Sequence, residues 1–195
     1  MSAGVATAPS GRMTVEDYLG WVVRQPKGRY ELVDGVPVRM SPEANRHLLV
    51  KGAAYRAFHE AVRAAATSCL VLTDGGTVVI HDRKAREPDL SIIPDTSLEL
   101  DSMFIGEPMV LVEVTSPSTL NTDTSDKLID YFSLPGVQHY VLIHPIERRV
   151  VHHRRLPDGK IETSIAAGGA LTFDPPGFSV EIARFFEDLP LVEVN

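Results

Sequence analysis

Cysteine is almost missing from this 195-residue chain: Cys69 stands alone. No intrachain disulfide can form, and a thiolate metal cluster is excluded. Positive charge is not in excess either. The formal net charge is -7, so no overall basic field advertises nucleic-acid binding, although a local basic groove is compatible with an acidic whole. No stretch approaches the roughly 18 consecutive apolar residues that a membrane span needs. The first twelve residues, MSAGVATAPSGR, have neither a basic start nor a long apolar run, which excludes a signal peptide as the reading of this segment. There is no GxxxxGK[ST] phosphate loop, no glycine-rich dinucleotide fingerprint and no GxSxG elbow. Nucleotide-hydrolase and serine-hydrolase readings therefore have nothing to stand on. These absences leave a cytoplasmic protein with a flexible tail over residues 1–12 and a single domain over 13–195.

What is present is ordinary globular material. At 44% hydrophobic and 23% charged residues, the chain has the means to bury a sizeable core. Thr14 followed by Glu16 and Asp17 predicts a helix start, with Val15, Tyr18, Leu19 and Val22 on one face and a stop before Pro26. Asp34-Gly35 between two apolar-rich runs predicts a hairpin, with Pro37 marking its second arm as an edge strand. A long helix is expected over 45–66. Its apolar face would carry Leu48, Leu49, Ala53, Tyr55, Ala57, Phe58, Ala61 and Val62, with Arg46, Lys51, Arg56 and Arg63 on the other side. Short strands follow over 69–73 and 77–81 around Asp74-Gly75-Gly76. A helix fits 123–134, stopped by Pro135-Gly136, with Leu128, Tyr131 and Phe132 inward. A strand over 139–144, a hairpin of 150–155 with 161–166 and a short helix near 180–187 complete the chain. The pattern is α/β: a central mixed sheet flanked by helices, with a strand–helix–strand unit in its middle and an N-terminal helix and hairpin.

The chemistry concentrates between Glu87 and Lys127. Two continuous apolar runs, of the kind that lie inside a sheet, each carry one acid: Asp89 heads Leu90-Ser91-Ile92-Ile93, and Glu113 interrupts Val110-Leu111-Val112 and Val114. A lone buried carboxylate is costly unless something cationic meets it. A divalent metal held by both would meet both, since carboxylates with a backbone carbonyl suit a hard cation such as magnesium or manganese. Such an ion polarises a phosphoryl oxygen and activates water, and Lys127 would add positive charge beside the developing oxyanion. The plainer alternative leaves Asp89 in a turn after Pro88, Glu113 paired with an arginine and Lys127 solvated.

Pro88-Asp89 followed by Glu113-Val114-Thr115 resembles the PD-(D/E)XK nuclease superfamily, except that Thr115 stands where its lysine belongs. The wider set is similar to the Uma-type putative restriction endonuclease family. It comprises Tyr30 to Gly35, Met40-Ser41-Pro42, His47, Glu87-Pro88-Asp89, Val112 to Thr119, Lys127 to Tyr131 and Gly136-Val137 to Tyr140. The resemblance spans about residues 14–186. It implies a restriction-endonuclease-like core and metal-dependent hydrolysis of phosphodiesters in DNA, with Mg2+ or Mn2+ on Asp89, Glu113 and the Val114 carbonyl. It also implies that the lysine has migrated to Lys127, on the helix after the Glu113 strand. Glu31 matches the family's early glutamate, as an outer metal ligand or water-positioning group, or else as an ion pair at the hairpin base. His47 matches a histidine that would touch the scissile phosphate, or else is a satisfied structural histidine. Asp123 fits the acid before the lysine, though capping alone explains it.

His152-His153 would point its rings to opposite faces of a strand, unable to chelate one ion. Arg148-Arg149 and Arg154-Arg155 make a basic patch on the last hairpin, either solvated surface or phosphate contact. A homodimer is expected, because cutting two strands usually takes two sites. The competing reading is a non-catalytic dimeric module that binds DNA or protein on a nuclease scaffold.

Overall fold

The computed structural model describes residues 11–26, 28–74, 76–115 and 123–190, with Asp123 and Thr124 described in their backbone alone. The expected tail lies outside these residues over 1–10, as do the Ser116 to Thr119 part of the motif set, Gly75 of the expected turn and the capping side chain of Asp123. Helix α1, Val15–Val22, opens on a reciprocal cap: the Asp17 N–H donates to the Thr14 hydroxyl while the Thr14 N–H donates to the Asp17 carboxylate. Strands β1, Tyr30–Val33, and β2, Val36–Arg39, pair antiparallel. Asp34 (φ 49°) and Gly35 (φ 81°) are both left-handed, as a two-residue turn of this hand requires. A Cβ at Gly35 would stand 2.7 Å from that of Arg12.

Helix α2, Asn45–Ala64, leads to β3, Cys69–Thr73, β4, Val78–His81, and β5, Lys84–Arg86. Then come β6, Leu90–Pro94, β7, Val110–Val114, helix α3, Asp123–Ser133, and β8, His139–His144. The chain continues through β9, Arg149–Arg155, β10, Ile161–Ala166, β11, Ala170–Phe173, and β12, Phe178–Glu181, into a 3-10 turn over Ile182–Phe186. The main sheet has the order β10-β9-β8-β7-β6-β3, and a second sheet has the order β2-β1-β5-β4. Among the named strands of the described residues, β7 and β8 are the pair that runs parallel, because α3 carries the chain back between them.

Alternating side chains send β7 to two cores. Val110, Val112 and Val114 join Leu90, Ile92 and the α2 residues Val50, Ala54 and Phe58 on one face, closed by Phe173, Phe178 and Phe185. Leu111 joins Ile93, Tyr131, Val137 and Val78 on the other face, under α3 and the small sheet. Central strands buried on both sides explain the unbroken apolar runs. No helix among the described residues is long and apolar enough to cross a membrane.

Both strands expected around Asp74-Gly75-Gly76 form, as β3 and β4; β3 joins β6, while β4 joins the three-residue β5, too short to stand out in sequence. Three sequence expectations need correction. The expected helix near 180–187 is a strand followed by a 3-10 turn, because Phe178 and Val180 alternate inward against β11. The buried stripe of α2 keeps the expected Ala53, Ala57, Phe58 and Val62 but shifts at its edges: Leu48 and Leu49 are exposed, whereas Val50 and Ala54 are buried. Lys51, expected on the solvent side, is 8% exposed.

Candidate active site

The end of β7 and the start of β6 meet where the ladder between them stops. Leu90 pairs with Val112, and the next hydrogen-bonded pair in this register would be Pro88 with Val114. The Thr115 N–H goes to Ile143 O on β8, so the N–H and C=O of Val114 face the β6 side. There the Asp89 Oδ2 replaces the missing strand acceptor, taking the Val114 N–H at 2.8 Å. Pro88 has no N–H to give in return. The ladder therefore leaves the Val114 carbonyl without a strand donor, beside Asp89 and one residue from Glu113.

Glu113 sits on the α3 face of the sheet. Its Oε1 accepts from the Lys127 ammonium at 3.0 Å and the Tyr131 hydroxyl at 2.7 Å, two groups one helical turn apart. The same ammonium lies 3.1 Å from Glu31 Oε1. Burial pushes the Glu113 carboxyl up to about 7, against the pull of Lys127 and with a further push from the charges of Asp89 and Glu31. Glu31 is also buried, but Lys127 and Arg86 together hold it below the ordinary carboxylate range. Arg86 donates to Glu31 Oε2 at 2.8 Å and to Asp130 Oδ2 at 2.9 and 2.7 Å, and Lys84 reaches Asp130 at 3.0 Å. The strand β5 thus supplies two cations that fix the acids around Lys127.

Asp89 faces α2 with its other oxygen. Its Oδ1 lies 3.2 Å from His47 Nε2 and 3.5 Å from the Lys51 ammonium. Burial raises this carboxyl, but the bonds from His47 and Val114 and the Lys51 charge hold it below its ordinary value. Lys51 is bound more closely by Glu43, at 2.5 Å, and Asp74, at 2.8 Å. Arg29 ties the same two acids to Glu87 at 3.0, 2.6 and 3.0 Å.

The fold thus gathers the metal and catalytic candidates of the sequence: Asp89, Glu113, Lys127, Glu31, His47 and the Val114 backbone. Arg86, Asp130, Lys51, Glu43 and Arg29 were not singled out in the sequence. His47 and Lys51 carry a readable signal, since they stand four residues apart on one stripe of α2; Glu43 lies just before the helix. Arg86 carries none, because its role depends on the pairing of β5 with β1. The other candidates stay apart. The rings of His152 and His153 do point to opposite faces, one stacked on His139 and the other on Tyr140. Arg155 donates to the carbonyls of Phe132, Leu134 and Val137, and Arg148 to those of Leu189 and Pro190, so these arginines anchor backbone. Two carboxylates and a carbonyl that Pro88 cannot serve form an oxygen donor set that fits a hard divalent cation.

Asp89 before β6 and Glu113 on the adjacent β7, with the lysine of α3 against Glu113, sit on a nuclease-like α/β fold. A crystal structure of a putative nuclease belonging to DUF820 from Anabaena variabilis superposes with a TM-score of 0.69 at 16% identity, over 86% of this chain and 96% of that one. Residues 15–184 match the family model Uma2, described as putative restriction endonuclease, and the chain belongs to that family. An uncharacterized protein of Synechocystis sp., slr1290, is 27% identical over 169 residues, covering 82% of this chain and 83% of its own length.

Proposed function

We propose that this protein is a divalent-metal-dependent endonuclease that hydrolyses phosphodiester bonds in DNA. Asp89, Glu113 and the Val114 carbonyl would hold Mg2+ or Mn2+. The ion, when bound, supplies Lewis-acid polarisation of a phosphoryl oxygen and a lowered pKa for water. The observation that carries the reading is the contact of Lys127 with Glu113. In the superfamily pattern that the sequence resembles, the lysine belongs at Thr115, two residues after the glutamate. Here an amine from the next helix arrives beside the same carboxylate.

The chain's own groups divide the work. Glu31 and Glu113 hold the Lys127 ammonium between them, where it orients the attacking water and donates to the oxyanion of the pentavalent transition state. Glu31 is a positioning residue, itself fixed by Arg86. His47 reaches the edge of Asp89, on the side from which the scissile phosphate would approach. The protein acts as a homodimer in the cytoplasm, one site for each DNA strand.

A plasmid-nicking assay with Mn2+, run on wild type and Glu113→Ala, tests the assignment. Cleavage by wild type alone, abolished by chelator, is the expected result. Equal cleavage by both proteins would sink it. One observation favours the competing binding module: the Glu113 carboxylate is already met by the Lys127 ammonium and the Tyr131 hydroxyl. Tight DNA retention in a gel shift with chelator, without cleavage when metal is restored, would select that reading.

A further inference from the structure

The two halves of the site differ in charge balance. Around Glu113, the enclosed acids Glu31, Glu113 and Asp130 meet three cations, Arg86, Lys127 and Lys84, with exposed Asp34 3.5 Å from Lys84. Around Asp89, the four carboxylates of Glu43, Asp74, Glu87 and Asp89 face two fixed cations among the described residues, Arg29 and Lys51. Two negative charges are left over in a partly dehydrated place, where surplus charge is costly.

The His47 imidazole points into that surplus. Its Nε2 lies 3.2 Å from Asp89 Oδ1 and 3.8 Å from Glu43 Oε2. One donor atom from each of Glu43, His47 and Asp89 lies within 4.8 Å of the others. Donors bound about 2.1 Å from one ion stand about 3 to 4.2 Å from each other, so small side-chain shifts close this set around a cation. His47 lies on the face of α2 turned to Asp89, and Glu43, just before the N-cap of α2, reaches the same imidazole from the chain that leads into the helix. A nitrogen donor beside two carboxylates suits a transition ion better than magnesium, which keeps to oxygen.

We propose that Glu43, His47 and Asp89 form a second divalent-cation site, taking manganese or zinc and sharing Asp89 with the metal site of the nuclease reading, on which it rests. Asp89 then bridges the two sites, one oxygen facing Val114 and the other facing His47. Lys51 is the competing cation: its ammonium spans Glu43 and Asp89, and an incoming ion shifts it towards Asp74, which already binds it.

Manganese titration by calorimetry and pulsed EPR on the full chain tests this without any substrate. Wild type should bind two ions per chain, one with the nitrogen-14 coupling of a directly bonded imidazole. His47→Ala should lose that coupling and one ion, and Glu43→Gln should lose one ion with its fold intact by circular dichroism. Glu113→Gln should keep the nitrogen-coupled ion. Lys51→Met should tighten that ion by about tenfold. One ion, lost in Glu113→Gln but indifferent to Glu43→Gln and His47→Ala, overturns the second site and leaves the nuclease metal standing. A nitrogen-coupled ion as the sole ion, unmoved by Glu113→Gln, supports the second site and counts against the Glu113 site. No binding at millimolar manganese overturns both.

Discussion

Lys127 and Glu113 come from consecutive elements, α3 and β7, and meet at 3.0 Å with Glu31 closing the other side of the ammonium at 3.1 Å. A salt bridge this enclosed is a poor source of stability, since dehydration offsets most of the attraction. It is well suited to holding an amine at one point in space.

Lys127→Ala should therefore lose turnover rather than metal. Removing one preorganised donor to a developing oxyanion costs about 10²–10³ in kcat, while manganese affinity measured by calorimetry should change little. A matched loss of turnover and affinity would mean that Lys127 only organises the acids.

Arg86 should matter more for folding than for chemistry. Its guanidinium bridges Glu31 and Asp130 with almost no exposure, 3% for the residue. Arg86→Met fills the space but leaves two enclosed carboxylates facing only Lys127 and Lys84. Breaking a buried pair from one side costs about 3–5 kcal/mol, so the urea midpoint should drop sharply. A shift within the scatter of surface substitutions would show that water reaches this network freely.

The Arg86 network also shows where sequence reading stopped. Asp89, Glu113 and Lys127 stood out because a charge in an apolar run, or a motif in order, is a local feature. The central strands, the α3 crossover and the capped α1 were legible for the same reason. The role of β5 was not, because three residues, Lys84 to Arg86, carry no periodicity and acquire meaning only when paired with β1 and β4. Lys51 is misplaced by sequence because five alanines make the edges of the buried face of α2 ambiguous. Its burial is set by Asp74 and Glu43, one from a distant strand end and the other from the residue before the N-cap.

A second buried network should make the fold lose stability as the pH falls. His139 Nε2 lies 2.9 Å from Pro175 O, which only accepts, so this nitrogen carries a proton; His139 Nδ1 then accepts from His152 Nε2 at 2.9 Å. Both rings are neutral, and burial depresses each to about 4, with neighbouring positive charge adding to the effect at His152. The unfolded chain titrates near the ordinary 6.5 and so binds more protons between that value and about 4. Stability from this pair is full above pH 6.5 and is lost as pH falls towards 4. His152→Gln keeps a donor for His139 and removes one titrating ring. Its urea midpoint should fall less steeply than that of wild type across this window. Parallel slopes would show that the pair is not held neutral in the fold.

The last expectation concerns the vacated position. Thr115 lies two residues after Glu113, so their side chains leave the same face of the strand, and its backbone stays in the ladder through the bond from its N–H to Ile143 O. Its hydroxyl reaches Ile143 O and His144 Nδ1, contacts whose loss affects the strand end rather than the acids. A lysine at 115 has the length to bring its amine to the Glu113 carboxylate from the strand instead of the helix. If catalysis requires only an amine at that point, Thr115→Lys should restore part of the cleavage lost in Lys127→Ala. The amine would lack the second grip that Glu31 gives Lys127, so recovery should be incomplete. Initial rates for wild type, Lys127→Ala and Lys127→Ala/Thr115→Lys decide it. A folded double variant no faster than the single one would show that the path from α3, with Glu31 alongside, is part of what the lysine needs.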